Sequence, residues 1–139
     1  YDRVMDAGAS SKNIYFIRYA DLILLYAECL LAENDLAGAK QQVIRVRNRA
    51  KVSTPITASN NTEMLDFIYE ERMRELGMEG WRRMDLIRRG ADYFAAQVDK
   101  YNPFAKGNVQ PYHAFYPIPT NEINMNDGIG AEDQNEGYK

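Results

Sequence analysis

Residues 17–50 read IRYADLILLYAECLLAENDLAGAKQQVIRVRNRA, and the spacing of their apolar positions decides the fold. Ile17, Ala20, Leu24, Ala27 and Leu31 recur at intervals of three and four, the repeat of one helix face. Leu22, Ile23, Leu25, Tyr26 and Leu30 cover much of the remaining surface. Arg18, Asp21 and Glu28 leave only a narrow polar stripe. A helix that is apolar on most sides is expected to lie buried between neighbours. Asn34-Asp35 breaks the pattern, and either residue can cap a following helix. Leu36, Ala39, Val43, Val46 and Ala50 then restart it. Arg45, Arg47, Arg49 and Lys51 fall in the last turns, where cations suit the negative end of the helix dipole. Two helices joined by so tight a turn form an antiparallel hairpin. Its length, small residues and turn are those of a tetratricopeptide-type unit. A single hairpin cannot bury both of its apolar faces. No second copy of the pattern occurs in the 139 residues, so partner units are expected elsewhere, upstream.

The flanking sequence extends the helical pattern and then abandons it. Residues 1–12 show no periodicity and read as a loop or a cut end. Residues 52–61 (VSTPITASNN) are a polar loop, and Asn60 with Glu63 three places on forms a capping box. Asn60-Asn61-Thr62 also matches a glycosylation sequon, but the cap is the better reading. A third helix is expected over Glu63–Met78, with Leu65, Ile68 and Leu76 on one stripe. Arg72 falls on that same stripe. An inward arginine must be paired, and Glu75, Glu79 and Asp85 are the candidates. Gly80 closes this helix. A shorter one runs from Trp81 to Arg89 and ends at Gly90, and Ala91–Tyr101 forms another with Phe94 and Val98 inward. From Asn102 onward Asn, Pro and Gly alternate with aromatics. Tyr116-Pro117-Ile118-Pro119 must be extended, because each proline pushes its predecessor out of the helical region. Asn121–Lys139 is polar and irregular, a loop that carries function or wraps a core. The expected fold is all-α, a single domain over residues 1–139. It comprises a tetratricopeptide-like hairpin, further helices and a long irregular C-terminal wrap.

Composition excludes several function classes. The net charge is −3, from 17 Lys and Arg against 20 Asp and Glu. That gives no basic field for nucleic acid. The arginines between Arg72 and Arg89 are interleaved with Glu70, Glu71, Glu75, Glu79 and Asp85, the pattern of ion-paired helix surfaces. The one cysteine, Cys29, permits no internal disulfide and no cysteine-based zinc site. It lies in the apolar run Leu22–Leu31 and is expected to be a small buried thiol. The longest apolar stretch, Ala20–Leu31, is too short to span a bilayer.

Catalytic machinery is not visible. No GxSxG, HExxH, P-loop or GxGxxG motif occurs, and one histidine, His113, builds no histidine-rich metal site. Glu71, Glu75, Glu79 and Asp85 could in principle form a glycosidase pair. Arginines surround them, which favours the ionised carboxylate, whereas an acid catalyst must hold its proton. Asn124, Asn126, Asp127, Glu132 and Asp133 are oxygen donors on a loop, but not at EF-hand spacing. No metal and no cofactor is therefore expected. The aromatic loops suit sugar better: a ring stacks on the apolar face of a pyranose while nearby amides bond its hydroxyls. Tyr101, Asn102, Tyr112 and His113 are the candidate substrate-binding residues, with Asn108 and Gln110 beside them. The same rings could instead pin the loop to the helices, the role expected of Phe104, Phe115 and Tyr116.

Several segments, taken in order, resemble one family. Arg18-Tyr19-Ala20-Asp21-Leu22 leading to Tyr26-Ala27-Glu28 is similar to the "RYADvLLmYAEA" helix of the SusD/RagB family. Val46-Arg47-Asn48-Arg49-Ala50 resembles its "vR.RAg" segment. Ile68-Tyr69-Glu70-Glu71-Arg72 through Glu75-Leu76 resembles "I..ER..EL", and Glu79-Gly80-Trp81 to Arg89-Gly90 resembles "EG.Rw.DL.RwG". Tyr116-Pro117-Ile118-Pro119 with Glu122-Ile123 and Asn126 is similar to "yPIP..EI..N". Gln134-Asn135-Glu136-Gly137-Tyr138 resembles a closing "QNPGY", with glutamate in place of proline. The resemblance covers residues 18–138. It implies the C-terminal portion of an outer-membrane lipoprotein of Bacteroidetes-type bacteria, its lipid anchor lying outside this chain. Such proteins are non-catalytic. They capture glycans or other nutrients and sit on a SusC-like TonB-dependent transporter, which would be the partner here. The alternative is a tetratricopeptide-like protein-interaction scaffold that does not touch sugar. The shared motifs are architectural in character: Glu71, Arg72, Glu79 and Asp85 would form ion pairs tying the helices together, and the Pro-Ile-Pro segment would wrap them.

Overall fold

A computed structural model describes residues 15–139; the loop expected over residues 1–12 lies outside them. The fold is all-α: six α-helices, two short 3-10 turns and no strand among the described residues. The chain divides into two compact units, one ending at Glu75 and the other comprising Leu76–Lys139.

The first unit holds α1 (Tyr19–Ala32), α2 (Leu36–Arg49) and α3 (Asn61–Glu75). The turn between α1 and α2 is closed by Asn34 in the left-handed region, a conformation asparagine tolerates better than most residues. Asp35 then caps α2, its carboxylate accepting the Gly38 N–H at 2.8 Å. The core takes Leu24, Ala27 and Leu31 from α1, Ala39, Val43 and Val46 from α2, and Met64 and Ile68 from α3. Each fully buried Leu, Ile or Met stabilises by roughly 1.5–3 kcal/mol, so these three faces hold the unit together.

Charges are threaded through the same interfaces. Arg72 is 3% exposed and Asp21 5%, and Arg72 Nη1 lies 2.7 Å from Asp21 Oδ1. The contact is ionic, because the geometry at Oδ1 does not meet that of a hydrogen bond. Glu28 stands 4.0 Å from Arg72 Nε and accepts from the Tyr69 hydroxyl. Arg47, also buried, donates to Glu71 at 2.9 Å and to the Thr54 carbonyl at 2.6 Å. Glu75 takes Arg18 and Arg49 together. Two acidic neighbours of Arg72, Asp21 and Glu28, thus lie on α1, outside the candidates the spacing offered. Glu75 is occupied by two other arginines, and Asp85 pairs with Arg88.

Three expectations for α1 change. Ile17 precedes the helix and is exposed. Cys29 is exposed rather than buried. Tyr19, Leu22 and Tyr26 also face outward. These residues and Cys29 share one face at three- and four-residue spacing, and α2 and α3 cover the other. The hairpin therefore leaves an apolar face uncovered, as a lone hairpin must.

In the second unit, α4 (Arg82–Arg88) and α5 (Ala91–Tyr101) pack Leu86 and Phe94 against Ala114, with Val98 and Val109 beside them. α3 stops at Glu75 rather than Met78, because Met78 and Gly80 both adopt positive φ and turn the chain. The wrap is less irregular than expected. It contains a 3-10 turn at Pro111–Ala114, the short helix α6 (Thr120–Met125) and a second 3-10 turn at Ala131–Asp133. Pro119, extended at ψ 137°, precedes α6 as its N-cap.

The start of α3 carries a pH dependence. Asn60 Oδ1 accepts the Glu63 N–H at 2.9 Å, while the Glu63 carboxylate reaches back to the Ser59 N–H and hydroxyl. The return bond thus falls one residue before the cap. The Ser59 N–H, then its hydroxyl, hold the exposed Glu63 carboxyl below its ordinary value of 4.5. A depressed carboxylate stabilises the fold above its unfolded pKa and loses that contribution as pH falls through the folded one. Glu63→Gln should therefore flatten the acid limb of a stability–pH profile below 4.5. Denaturant midpoints between neutral pH and pH ~3 measure this; an unchanged acid limb contradicts it.

Candidate functional site

The aromatic loops of the second unit are built on the end of α5. The helix stops at Tyr101, and Asn102 turns extended as its cap. Asn102 Oδ1 accepts the Phe104 N–H at 3.1 Å, an Asx turn that fixes the next residues. Gly107, at positive φ, donates its N–H to the Asp99 carboxylate and ties the loop back to α5. Between these braces Phe104 is 96% exposed. Tyr101 is partly exposed, with Lys100 Nζ 4.7 Å from its ring centre.

Tyr112 and His113 sit on the first 3-10 turn, and their surroundings differ. Their ring centres are 4.2 Å apart, and the Tyr138 ring meets Tyr112 edge-on at 5.1 Å. His113 Nδ1 accepts the Gln110 N–H at 2.9 Å, which leaves Nε2 to carry the proton of the neutral ring. Gly137 lies directly on the Tyr112 ring, where a methyl group would overlap the ring carbons. Gly137 also has positive φ. Two independent constraints thus select glycine there.

The C-terminal segment is the clamp that makes this arrangement. The Gln134 side chain brackets Ile118, accepting from its N–H at 2.7 Å and donating to its carbonyl at 3.0 Å. Asn135 donates to the Tyr116 carbonyl, and the Tyr138 hydroxyl donates to the Phe115 carbonyl. Extended backbone with no sheet partner is satisfied by side chains instead. On the other side, Arg83 donates to the His113 and Ala114 carbonyls. Its guanidinium carbon lies 4.2 Å from the centre of the Tyr116 ring and 5.1 Å from that of Phe94.

The structure places the four sugar candidates in two groups. Tyr101 and Asn102 lie at the base of an exposed loop. Tyr112 and His113 are half-buried and braced by Tyr138 and Gly137. Of the three rings expected to anchor the loop, Phe104 and Phe115 are exposed, whereas Tyr116, although exposed, meets the Arg83 guanidinium of α4. Of the ion-pair residues, Glu71 meets Arg47, Arg72 meets Asp21 and Asp85 meets Arg88. Asp21, Arg83, Gly137 and Tyr138 are the residues whose contacts the spacing did not single out. Among the described residues no group of three or more His, Cys, Asp or Glu is placed to hold a metal ion. No helix among them is long and apolar enough to cross a membrane.

Comparison with known proteins decides what this framework is. The family model described as the SusD family matches residues 2–138. The chain belongs to the SusD family. SusD-like protein P25 of Formosa agariphila is 34% identical over 134 residues, which cover 93% of this chain and 25% of that protein. The starch-binding protein SusD of Bacteroides thetaiotaomicron is 32% identical over 142 residues, 98% of this chain and 23% of that one. SusD-like protein P38 of Formosa agariphila is 34% identical over a shorter stretch, 55% of this chain and 17% of the relative. The chain thus spans about a quarter of the length of the first two relatives. No solved structure matches it with significance. In this SusD-family chain, the closing Gln134-Asn135-Glu136-Gly137-Tyr138 segment acts as the clamp just described. Glutamate at 136, exposed, leaves the contacts of its neighbours intact.

Gly137→Ala should destabilise the wrap by about 1–3 kcal/mol through the positive φ alone, and further through the overlap with Tyr112. Hydrogen exchange at the Ile118 and Phe115 amides measures the effect. Protection equal to that of the parent chain would show that Gly137 is not pressed on the ring.

Proposed function

We propose that this chain is part of a non-catalytic glycan-capture protein. Such a protein works in nutrient uptake at the outer membrane with a SusC-like TonB-dependent transporter. The observation that carries the proposal is family membership over residues 2–138 together with likeness to a starch-binding protein along 98% of the chain. The anchor to the membrane would be a lipid attached outside this chain. Sugar contact falls on the loop at the end of α5: Tyr101 offers a partly open ring, Asn102 an amide, and Phe104 an exposed ring beside them. Stacking of such rings on pyranose faces is the chemistry involved. Tyr112 and His113 are the further candidates, half-buried against each other and Tyr138.

A second reading, a helical scaffold that binds protein without touching sugar, is favoured by the uncovered Tyr19, Leu22 and Tyr26 face of α1. Affinity electrophoresis of the full-length protein in gels cast with a panel of polysaccharides, starch included, separates the two. Glycan capture predicts retardation that Tyr101→Ala and Phe104→Ala each weaken several-fold without altering migration in plain gels. Migration unaffected by every polysaccharide would leave the scaffold reading standing and reject capture.

A further inference from the structure

The cavity between the start of α1 and the end of α2 has no part in the sugar reading. It is a half-open cleft of about 430 Å³, within the size range of small-molecule sites. Ala20, Ile23 and Val46 give it an apolar lining, Arg18, Arg45 and Arg49 bring three guanidinium groups to it, and among the described residues no Asp or Glu lines it. Arg49 shares the Glu75 carboxylate with Arg18. Arg45 is different: it donates to Gln42 Oε1 at 2.7 Å and to the Tyr19 hydroxyl at 3.2 Å. Its guanidinium carbon stands 5.9 Å from the centre of the Tyr19 ring. Among the described residues no carboxylate pairs with Arg45.

These features select a ligand class. A guanidinium held by two neutral acceptors has no carboxylate opposite it and still has donors to offer, in the planar fork that matches a carboxylate. The adjoining apolar lining rewards hydrocarbon and offers nothing to a ring of hydroxyls. Inorganic phosphate would leave that lining wet, and a neutral sugar would leave the charge unanswered. We propose that this cavity binds a small organic acid, its carboxylate on Arg45 and its hydrocarbon body on Ala20, Ile23 and Val46.

Hydrocinnamate, hydrocinnamyl alcohol and glucuronate are the probes that test it. Each is titrated into the nitrogen-15-labelled full-length protein while backbone amide shifts are followed. Hydrocinnamate should give saturable shifts at Tyr19, Ala20, Ile23 and Val46. The alcohol, lacking the charge, should bind about ten-fold more weakly, the factor one charge-assisted hydrogen bond supplies. Glucuronate, which keeps the charge and loses the apolar body, should be weaker by a similar factor. Arg45→Gln should reduce hydrocinnamate affinity about ten-fold and leave the alcohol unchanged. Arg45 is exposed, so the variant should fold, and its far-ultraviolet circular dichroism should match the parent. Equal affinity for acid and alcohol, binding insensitive to Arg45→Gln, or no saturable shift with hydrocinnamate would each overturn the proposal.

Discussion

A guanidinium and a carboxylate, both almost entirely withdrawn from water, meet between α1 and α3, and the first unit is arranged around that contact. Neither Asp21 nor Arg72 could stand in an apolar interior alone, since an unpaired buried charge costs several kcal/mol (about 3–5). The pair therefore dictates which face of α1 turns inward: the polar stripe of Asp21 and Glu28 goes to α3 together with Leu24, Ala27 and Leu31. Tyr19, Leu22 and Tyr26 are then left facing out. Arg47 and Glu71 repeat the device between α2 and α3. A helix that looks wrongly oriented by hydrophobicity alone follows from the need to satisfy charge.

The second unit solves a different problem by similar means. Its extended Phe115–Ile118 stretch has no sheet neighbour, so Gln134, Asn135 and Tyr138 supply the missing hydrogen bonds from the far end of the chain. Ring packing then follows the clamp. Tyr112 lies beneath Gly137, while Phe104, outside the clamp's reach, stays in water.

Helix positions were legible in residue order because periodicity is local: Leu24, Ala27, Val43 and Ile68 each announce a face within a few residues. The inward course of Arg72 was legible for the same reason. Its partner was not, because Asp21 lies 51 positions away and comes near only once the hairpin has packed. The loop aromatics show the same limit. Tyr112 and Phe104 occupy similar surroundings in sequence, and only the return of Gly137 and Tyr138 distinguishes them. Cys29 is exposed although its run is apolar on nearly every side, because nothing local says which side the charges will claim.

The inward orientation of α1 depends on Asp21 and Arg72 being coupled inside the fold. A double-mutant cycle on their pair, read by denaturant unfolding of Asp21→Asn, Arg72→Met and the double variant, measures that directly. The expected result is a loss of about 3–5 kcal/mol for each single change, with the double costing less than the sum by about 1–3 kcal/mol. Single losses below ~1 kcal/mol that simply add would be the behaviour of an exposed pair, and would contradict the charge-led orientation of α1.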